Sequence, residues 1–221
     1  MLQNNSYICT IYICMNMEMI KRIYTAVTAI CVTLMMFACS NDTDTVLTTQ
    51  QKSIESYLTG SHNPRLIEEY LVPESTEENP QFYTQWNLNI FRYISTYYTK
   101  GRDNWPVIER GTTFDIMYTA YIFKSGAPSI TDMYATNIEA NIKELYKGYD
   151  DETNIWSTEP MRITLGRDTI VGGLSTALEG CRIGDTVEVY LTYDAAYGKQ
   201  YIGFIPSKSA VMWEIEILEA K

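Results

Sequence analysis

The chain has 221 residues, of which 46% are hydrophobic, so it is long enough to bury the core of one domain with a smaller piece before it. Its 17 basic and 27 acidic residues give a formal net charge of −10 at pH 7. This acidic balance argues against a nucleic-acid partner, because proteins that bind a phosphate backbone carry a basic surface.

The N-terminal part of the chain has the pattern of a secretory signal. Lys21 and Arg22 precede an apolar run at 23–36, and a small residue stands directly before Cys39. These features are typical of a signal peptide rather than of a membrane span. The cysteine resembles the lipidation site of bacterial lipoproteins. We therefore expect residues 1–38 to be a signal peptide and Cys39 to be the acylated first residue, with an uncleaved N-terminal anchor as the alternative.

Lipid attachment at Cys39 would hold the protein in the cell envelope, and we expect the outer membrane. The stretch after it, SNDTDT, favours a solvated tether, but it also resembles the acidic export signal of some surface lipoproteins. Periplasmic and surface-facing placement therefore both stay open. Beyond Cys39 the only cysteine is Cys181, which excludes an intramolecular disulfide. Cys181 lies in a helical apolar pattern and is predicted to be a core thiol.

Residues 39–86 are predicted to form a tether and a small helical segment. A helix over 48–60 is indicated by an apolar stripe and a terminal glycine. The stripe consists of Ile54, Tyr57 and Leu58. The sole histidine, His62, follows this helix and is predicted to be exposed in a loop.

The main domain is predicted to span residues 87–221. Its first strand is expected at 87–98, where aromatic and β-branched residues dominate, with a further strand around 114–123. The most informative stretch is 160–218. There the periodicity predicts, in order, a strand, a short helix, a second strand, a loop that contains Tyr197, and a third strand.

That order, with its residues, resembles the FKBP-type peptidyl-prolyl isomerases. The matching pieces are IMYTAYIF (116–123), PMRITLG (160–166), IVGGL (170–174), LEGCRIGD (178–185), DAAYG (194–198), IP (205–206) and VMWEIEIL (211–218). Each piece alone is weak evidence for the family, but the occurrence of all of them in the family's order is strong evidence for the resemblance. The resemblance implies an α+β fold, in which an antiparallel, strongly curved β-sheet wraps around a short α-helix. Here a small N-terminal helical segment and an inserted helix are added.

The loop from 124 to 159 departs most from the family, because it is longer. Asn137 is predicted to cap an inserted helix that ends at Gly148. The apolar face of this helix is formed by Ile138, Ile142, Leu145 and Tyr146. The helix either overhangs one wall of the substrate pocket that the resemblance implies or packs against the side of the sheet.

The resemblance also implies an aromatic pocket for the proline ring of an X–Pro peptide. The expected catalytic residues are Tyr118, Tyr197, Ile170 and Trp213. The expected substrate-binding residues are Tyr134, Met161, Val171, Leu174, Phe204 and Ile205. The reaction is rotation about an amide bond, so no nucleophile, cofactor or metal is required. The sequence beyond Cys39 also offers one histidine and one free cysteine, fewer than the three protein ligands of a catalytic zinc.

Three departures from the family pattern predict weak or selective activity. Ala135 replaces a usual aspartate, Leu174 replaces the common tryptophan at the pocket floor, and the loop at 199–204 is shorter than usual. We therefore expect an isomerase, acting on proline-containing polypeptides, that assists the folding of exported proteins. The first alternative is a non-catalytic module that binds proline or apolar peptides as a chaperone or adaptor. The second is a structural lipoprotein with a vestigial pocket.

Overall fold

The computed structural model describes residues 41–73, 79–145, 157–168 and 170–221. The predicted signal peptide, Cys39 and the end of the predicted inserted helix lie outside these ranges. The chain divides into two compact units, 1–46 and 47–221. In the first, the described residues belong to the start of a helix. In the described ranges, no helix combines the length and apolar character that crossing a membrane requires.

The described residues form a mixed sheet and helices, and all but the start of the first helix belong to the second unit. In chain order the main elements are α1 (Asn41–Ser56), β1 (Ile67–Glu68), β2 (Phe82–Trp86), β3 (Ile90–Ile94), β4 (Thr113–Ile122), β5 (Met133–Thr136), α2 (Glu139–Leu145), β6 (Met161–Thr164), α3 (Gly172–Leu178), β7 (Thr186–Leu191) and β8 (Val211–Glu219). The strand order is β1-β2-β3-β7-β8-β4-β5, and β6 pairs with β4 beside β5. The pair β1–β2 is parallel and the other described pairs are antiparallel. The predicted α+β class is confirmed.

The main core lies between the inner face of the sheet and α3. Side chains alternate across a strand, so Val187 and Val189 of β7 point to the same face. There they join Leu174, Ala177 and Leu178 of α3, all of which are buried. Cys181 is fully buried in this cluster, and burial raises its pKa to about 11. The predicted core thiol is confirmed.

The outer face of the sheet is covered by α1 and by the turn of π-helix that follows it at Tyr57–Ser61. The predicted stripe of Ile54, Tyr57 and Leu58 is buried, packing with Phe91, Tyr190 and Met212 of the sheet. The helix begins earlier than predicted, at Asn41 rather than at 48.

The predicted exposure of His62 is wrong, because its side chain is buried under this covering segment. One ring nitrogen, Nε2, lies 2.9 Å from a carboxylate oxygen of Glu188, and Nδ1 contacts the carbonyl oxygen of Pro64. Burial alone would lower the pKa of His62, but these two hydrogen bonds outweigh it, so the pKa is raised. The protonated ring donates to both oxygens.

The predicted first strand at 87–98 also needs correction. The chain forms a hairpin there, with β2 and β3 joined by residues 87–89. Asn87 and Leu88 have φ angles of 50° and 57°, and the N–H of Asn89 donates to the carbonyl of Trp86 at 3.0 Å. Positive φ at both central residues defines a tight turn that matches the twist of paired strands, and asparagine favours it. Both β1 and β2 therefore join the sheet from upstream of residue 87.

Candidate active site

An aromatic wall stands on the inner face of neighbouring strands β4 and β8. In their antiparallel register Ala120 lies opposite Trp213, which brings Tyr118, two residues away on the same face, alongside the indole. The rings of Tyr118 and Trp213 stack with centroids 5.0 Å apart and planes 26° apart. Tyr134 of β5 meets Trp213 edge-on at 6.3 Å. Trp213 is buried, and its Nε1 has no hydrogen-bond partner in the described part of the chain.

Three tyrosine hydroxyls accompany this wall. Tyr197, from the loop between β7 and β8, donates its hydroxyl proton to the Tyr134 oxygen at 3.3 Å. Burial raises the pKa of Tyr118, Tyr134 and Tyr197. The three phenols therefore stay protonated at physiological pH and act as hydrogen-bond donors.

The apolar base of the site is the start of α3. Leu174 and Val171 are buried in the main core, and Ile170 packs against it half-buried. Gly173 brings α3 close to the tyrosine-bearing loop, since its N–H donates to the Ala195 carbonyl at 2.8 Å. A side chain at 173 would place a Cβ 2.9 Å from that carbonyl oxygen, so only glycine permits this approach.

An open pocket of about 550 Å³ lies in front of the wall. Its lining residues are Tyr118, Tyr134, Ala135, Thr136, Asn137, Ser157, Glu159, Pro160, Met161 and Phe204. Phe204 is 82% exposed and stands at the mouth. Ala135 contributes a methyl group to this lining, at the position where the family resemblance implies a carboxylate.

The structure thus divides the ten predicted site residues into three groups. Those that line the pocket are Tyr118, Tyr134, Met161 and Phe204. Those that form or pack on the core behind it are Ile170, Val171, Leu174, Tyr197 and Trp213. Ile205 is buried within its own loop, where its backbone pairs with Ile202. The roles given to these residues stay predictions.

Sequence reasoning missed the residue that supports Tyr118. Asn137 is buried, and its Oδ1 accepts the N–H of Tyr118 at 2.7 Å. Its Nδ2 donates to the carbonyls of Ile116 and Glu159 at 3.0 and 3.1 Å. The predicted role of Asn137 as a helix cap is wrong, because its Oδ1 bonds Tyr118 and the helix begins two residues later, at Glu139.

The described part of the insertion packs on the side of the sheet away from the pocket. In α2, Ile142 is buried, and Asn141 Nδ2 donates to Thr119 Oγ1 at 2.8 Å. Thr119 follows Tyr118 in β4, so its side chain points to the opposite face. Within 139–145 no residue lines the pocket, which favours side packing over an overhang for this part of the helix.

Acidic, histidine and cysteine side chains do not converge in the described ranges. No group of three or more of them is placed to hold a metal ion in 41–73, 79–145, 157–168 or 170–221.

Comparison with known proteins locates the family resemblance in the second half of the chain. Residues 131–218 match the family model described as FKBP-type peptidyl-prolyl cis-trans isomerase. This segment is therefore similar to the FKBP-type isomerases. It contains Tyr134, Tyr197 and Trp213, whereas Tyr118 lies upstream of the FKBP-type match.

Among solved structures, the chain is similar to the crystal structure of FkpA from Escherichia coli, with 14% sequence identity and a TM-score of 0.44. The match covers 62% of this chain and 50% of that chain, so it spans half the length of FkpA. The comparison with curated proteins gives no match. The family match over residues 131–218 agrees with the predicted FKBP-like fold, and the lipoprotein form stays a prediction.

Proposed function

We propose that the protein is a peptidyl-prolyl cis-trans isomerase that accepts proline-containing segments of other polypeptides in this pocket. The main observation behind this proposal is the stacked pair Tyr118–Trp213, which forms an aromatic wall beside tyrosine hydroxyls at an open pocket. A proline ring is compact and apolar, so it packs on such a wall, while the adjacent carbonyls need donors. The match of residues 131–218 to the isomerase family supports the same reaction.

The chemistry is rotation about the X–Pro amide, whose barrier is about 18–20 kcal/mol. Amide resonance, which resists the rotation, is strengthened by water on the carbonyl oxygen. Transfer from water into an aromatic pocket removes that solvation of the carbonyl oxygen. The twisted amide loses less stabilisation by this transfer than the planar amide, so the barrier to rotation is lowered. Each 1.36 kcal/mol of differential stabilisation gives about a tenfold rate increase.

The tyrosine hydroxyls would hold the substrate during this rotation. Tyr134 accepts the proton of Tyr197. Its own proton would then be donated to a peptide carbonyl in the pocket. Because burial raises the pKa of both phenols, these donors remain available across the neutral range.

The N-terminal pattern supports a proposal for the place of action. We propose that Cys39 carries the lipid anchor and that the isomerase assists the folding of exported proteins at the cell envelope. The basic pair at 21–22, the apolar run at 23–36 and the cysteine at the cleavage point support this proposal. Labelling with a radioactive or clickable fatty acid in a bacterial host, with Cys39→Ala as the control, tests the anchor.

A non-catalytic peptide-binding module is the second candidate. It is favoured by the two large side chains that the loop after Tyr197 exposes, Tyr201 at 71% and Phe204 at 82%. Phe204 also lines the pocket, and exposed aromatic side chains suit the capture of apolar segments. Ala135, in place of the usual carboxylate, is consistent with binding that exceeds turnover.

The deciding experiment measures isomerisation of X–Pro test peptides by the purified protein in detergent, without a coupling protease. Tyr197→Phe removes one donor and is expected to lower kcat/KM by roughly tenfold, and Trp213→Ala to lower it further. Tyr201→Phe is the matched control, because it removes a hydroxyl from an exposed position of the same loop. Binding of the peptides without any acceleration would favour the module, and neither binding nor acceleration would leave the structural lipoprotein.

A further inference from the structure

The loop between β7 and β8, which carries Tyr197, is tied to the N-terminal helix by one side chain. Gln50 of α1 accepts the N–H of Tyr193 on its Oε1 at 2.8 Å. Its Nε2 donates to the carbonyl of Lys208 at 2.8 Å. A single amide therefore contacts both ends of the loop, one just after β7 and the other just before β8.

These contacts close a ring of hydrogen bonds around Tyr197. The N–H of Gly198 donates to the carbonyl of Tyr193 at 2.7 Å, and the N–H of Lys208 donates to the carbonyl of Gly198 at 3.1 Å. With Gln50, the three loop residues form what we call the Gln50 ring. Tyr197 directly precedes Gly198, so displacement of any member of the ring moves the tyrosine.

The ring also holds an unfavourable backbone. Lys208 has a φ of 58°, a conformation that residues with side chains seldom adopt. Such a conformation persists when its surroundings fix it, and both polar groups of the Lys208 backbone are bonded within the ring. Without Gln50 the carbonyl of Lys208 loses its partner in the ring and the residue can relax.

The helix that provides Gln50 is itself firmly placed. The buried stripe of α1 fixes it on the outer face of the sheet. The next residue, Gln51, donates to Asn89 Oδ1 at 3.0 Å, and the same oxygen accepts the hydroxyl of Thr192 at 3.1 Å. The start of the loop is therefore held twice from α1, directly through Tyr193 and indirectly through Thr192.

We propose that Gln50 is a positioning residue for the substrate pocket, through which α1 fixes the loop that presents Tyr197. This inference rests on the proposed function, since it assigns Tyr197 a place in substrate binding. It extends the functional unit upstream of the FKBP-type segment at 131–218. A displacement of about 1 Å in a reacting group can reduce a rate by roughly a hundredfold, so a loop of this kind needs such a tie.

The test uses the full chain with two substitutions at one position. Gln50→Met keeps the length of the side chain and removes both hydrogen bonds. Gln50→Glu keeps the acceptor for Tyr193 and removes the donor to Lys208 while the carboxyl is ionised. Thr48→Ala, at an exposed position of α1, is the control.

Amide hydrogen exchange at Gly198 and Lys208 reports on the ring itself. We expect exchange to be at least about fivefold faster in Gln50→Met than in the parent chain or in Thr48→Ala. We expect kcat/KM to fall by roughly tenfold, because the Tyr197 hydroxyl holds the Tyr134 hydroxyl that would donate to a substrate carbonyl. Unchanged exchange at both amides would overturn the inference.

The glutamate variant separates positioning from loss of structure. A protonated carboxyl both accepts and donates, so it can replace the amide of Gln50. The activity of Gln50→Glu, relative to the parent chain at each pH, is expected to recover as the pH falls toward the ordinary glutamate pKa of about 4.3. Gln50→Met should show no recovery. A deficit of Gln50→Glu that is the same at every pH would contradict the proposed ring.

The two proposals fail in distinguishable ways. If the parent chain does not accelerate isomerisation, the proposed function fails. The Gln50 ring is then judged by amide exchange and by affinity for a proline-containing peptide. If the parent chain is active but neither exchange nor activity responds to substitution of Gln50, the inference fails and the proposed function stands.

Discussion

Replacement of Asn137 by alanine tests how the pocket wall is supported. Strand β4 changes its partner along its length, from β6 up to Ile116 to β5 from Thr119 onward. Between these points Asn137 takes the place of a neighbouring strand, because its amide bonds the N–H of Tyr118 and the carbonyl of Ile116. The side chain is 3% exposed.

The expected loss can be worked from these contacts. Removal of the amide leaves a donor at Tyr118 and an acceptor at Ile116 without partners, and each such group costs about 1–3 kcal/mol when buried. The third bond, to the carbonyl of Glu159, lies at the pocket, where water can replace it. We therefore expect Asn137→Ala to lower the free energy of unfolding by about 3 kcal/mol.

Urea denaturation, followed by tryptophan fluorescence, measures this loss as a lower midpoint with an unchanged slope. Asn141→Ala is the matched control, since it removes one partly buried hydrogen bond to Thr119 and should cost no more than about 1.5 kcal/mol. Binding of a proline-containing peptide should weaken in Asn137→Ala and not in Asn141→Ala. Equal losses of stability in the two variants would refute the reasoning that Asn137 substitutes for a strand partner.

Three further predictions concern the packing of the domain. Gly173→Ala is expected to lower the free energy of unfolding by about 2 kcal/mol, because the new Cβ would lie 2.9 Å from the Ala195 carbonyl oxygen. Thermal unfolding measures this loss as a lower midpoint, and an unchanged midpoint would show that α3 can move aside. His62→Gln is expected to destabilise more at pH 6 than at pH 8. The folded-state pKa of His62 is raised, so its stabilising effect is present below the unfolded value of 6.5 and is lost as the pH rises through the folded value; an equal loss at both pH values in urea titrations would contradict this. The guanidinium of Arg102 lies 2.6 Å from the buried carboxylate of Asp185, and Arg102→Met removes this ion-pair partner. The free energy of unfolding should fall by about 3–5 kcal/mol in the same urea titration. A loss below about 1 kcal/mol would show that water reaches the carboxylate.

The fold of the second half was predictable because its signals are local. Alternation of apolar residues in β7 and β8, with the glycines that flank α3, predicts the element order from the sequence alone. The same alternation correctly assigns Val187 and Val189 to the inner face. The family resemblance added which of these residues surround the pocket.

The covering of the outer face was not predictable by the same means. Glu188 and Tyr190 alternate with the core residues of β7, a pattern typical of a strand with one side in water. In the structure His62, 126 residues earlier, bonds Glu188 at 2.9 Å, and α1 covers Tyr190. No local pattern encodes a pairing over that distance, so His62 was assigned to an exposed loop.

The supports of the candidate site escaped prediction for a related physical reason. The side chains of Asn137 and Gln50 each form hydrogen bonds with backbone groups. Every residue type carries backbone groups, so the residue type of the partner does not indicate the contact. Periodicity finds side chains that share a face. It does not find amides that replace a missing strand or tie a loop.

Both supports act on tyrosines of the candidate site, since Tyr118 lines the pocket and Tyr197 bonds Tyr134 of its lining. Tyr118 is held by Asn137 and lies upstream of residues 131–218, whereas Tyr197 lies within that segment but is tied by Gln50 from α1. Strand β4 is also the partner of both β8 and β5, so the segment that matches the family model lacks a central strand when it stands alone. A polypeptide restricted to 131–218 would expose the paired edges of β5 and β8 and leave the Gln50 ring open. The pocket therefore depends on residues upstream of the segment that the family comparison recognises.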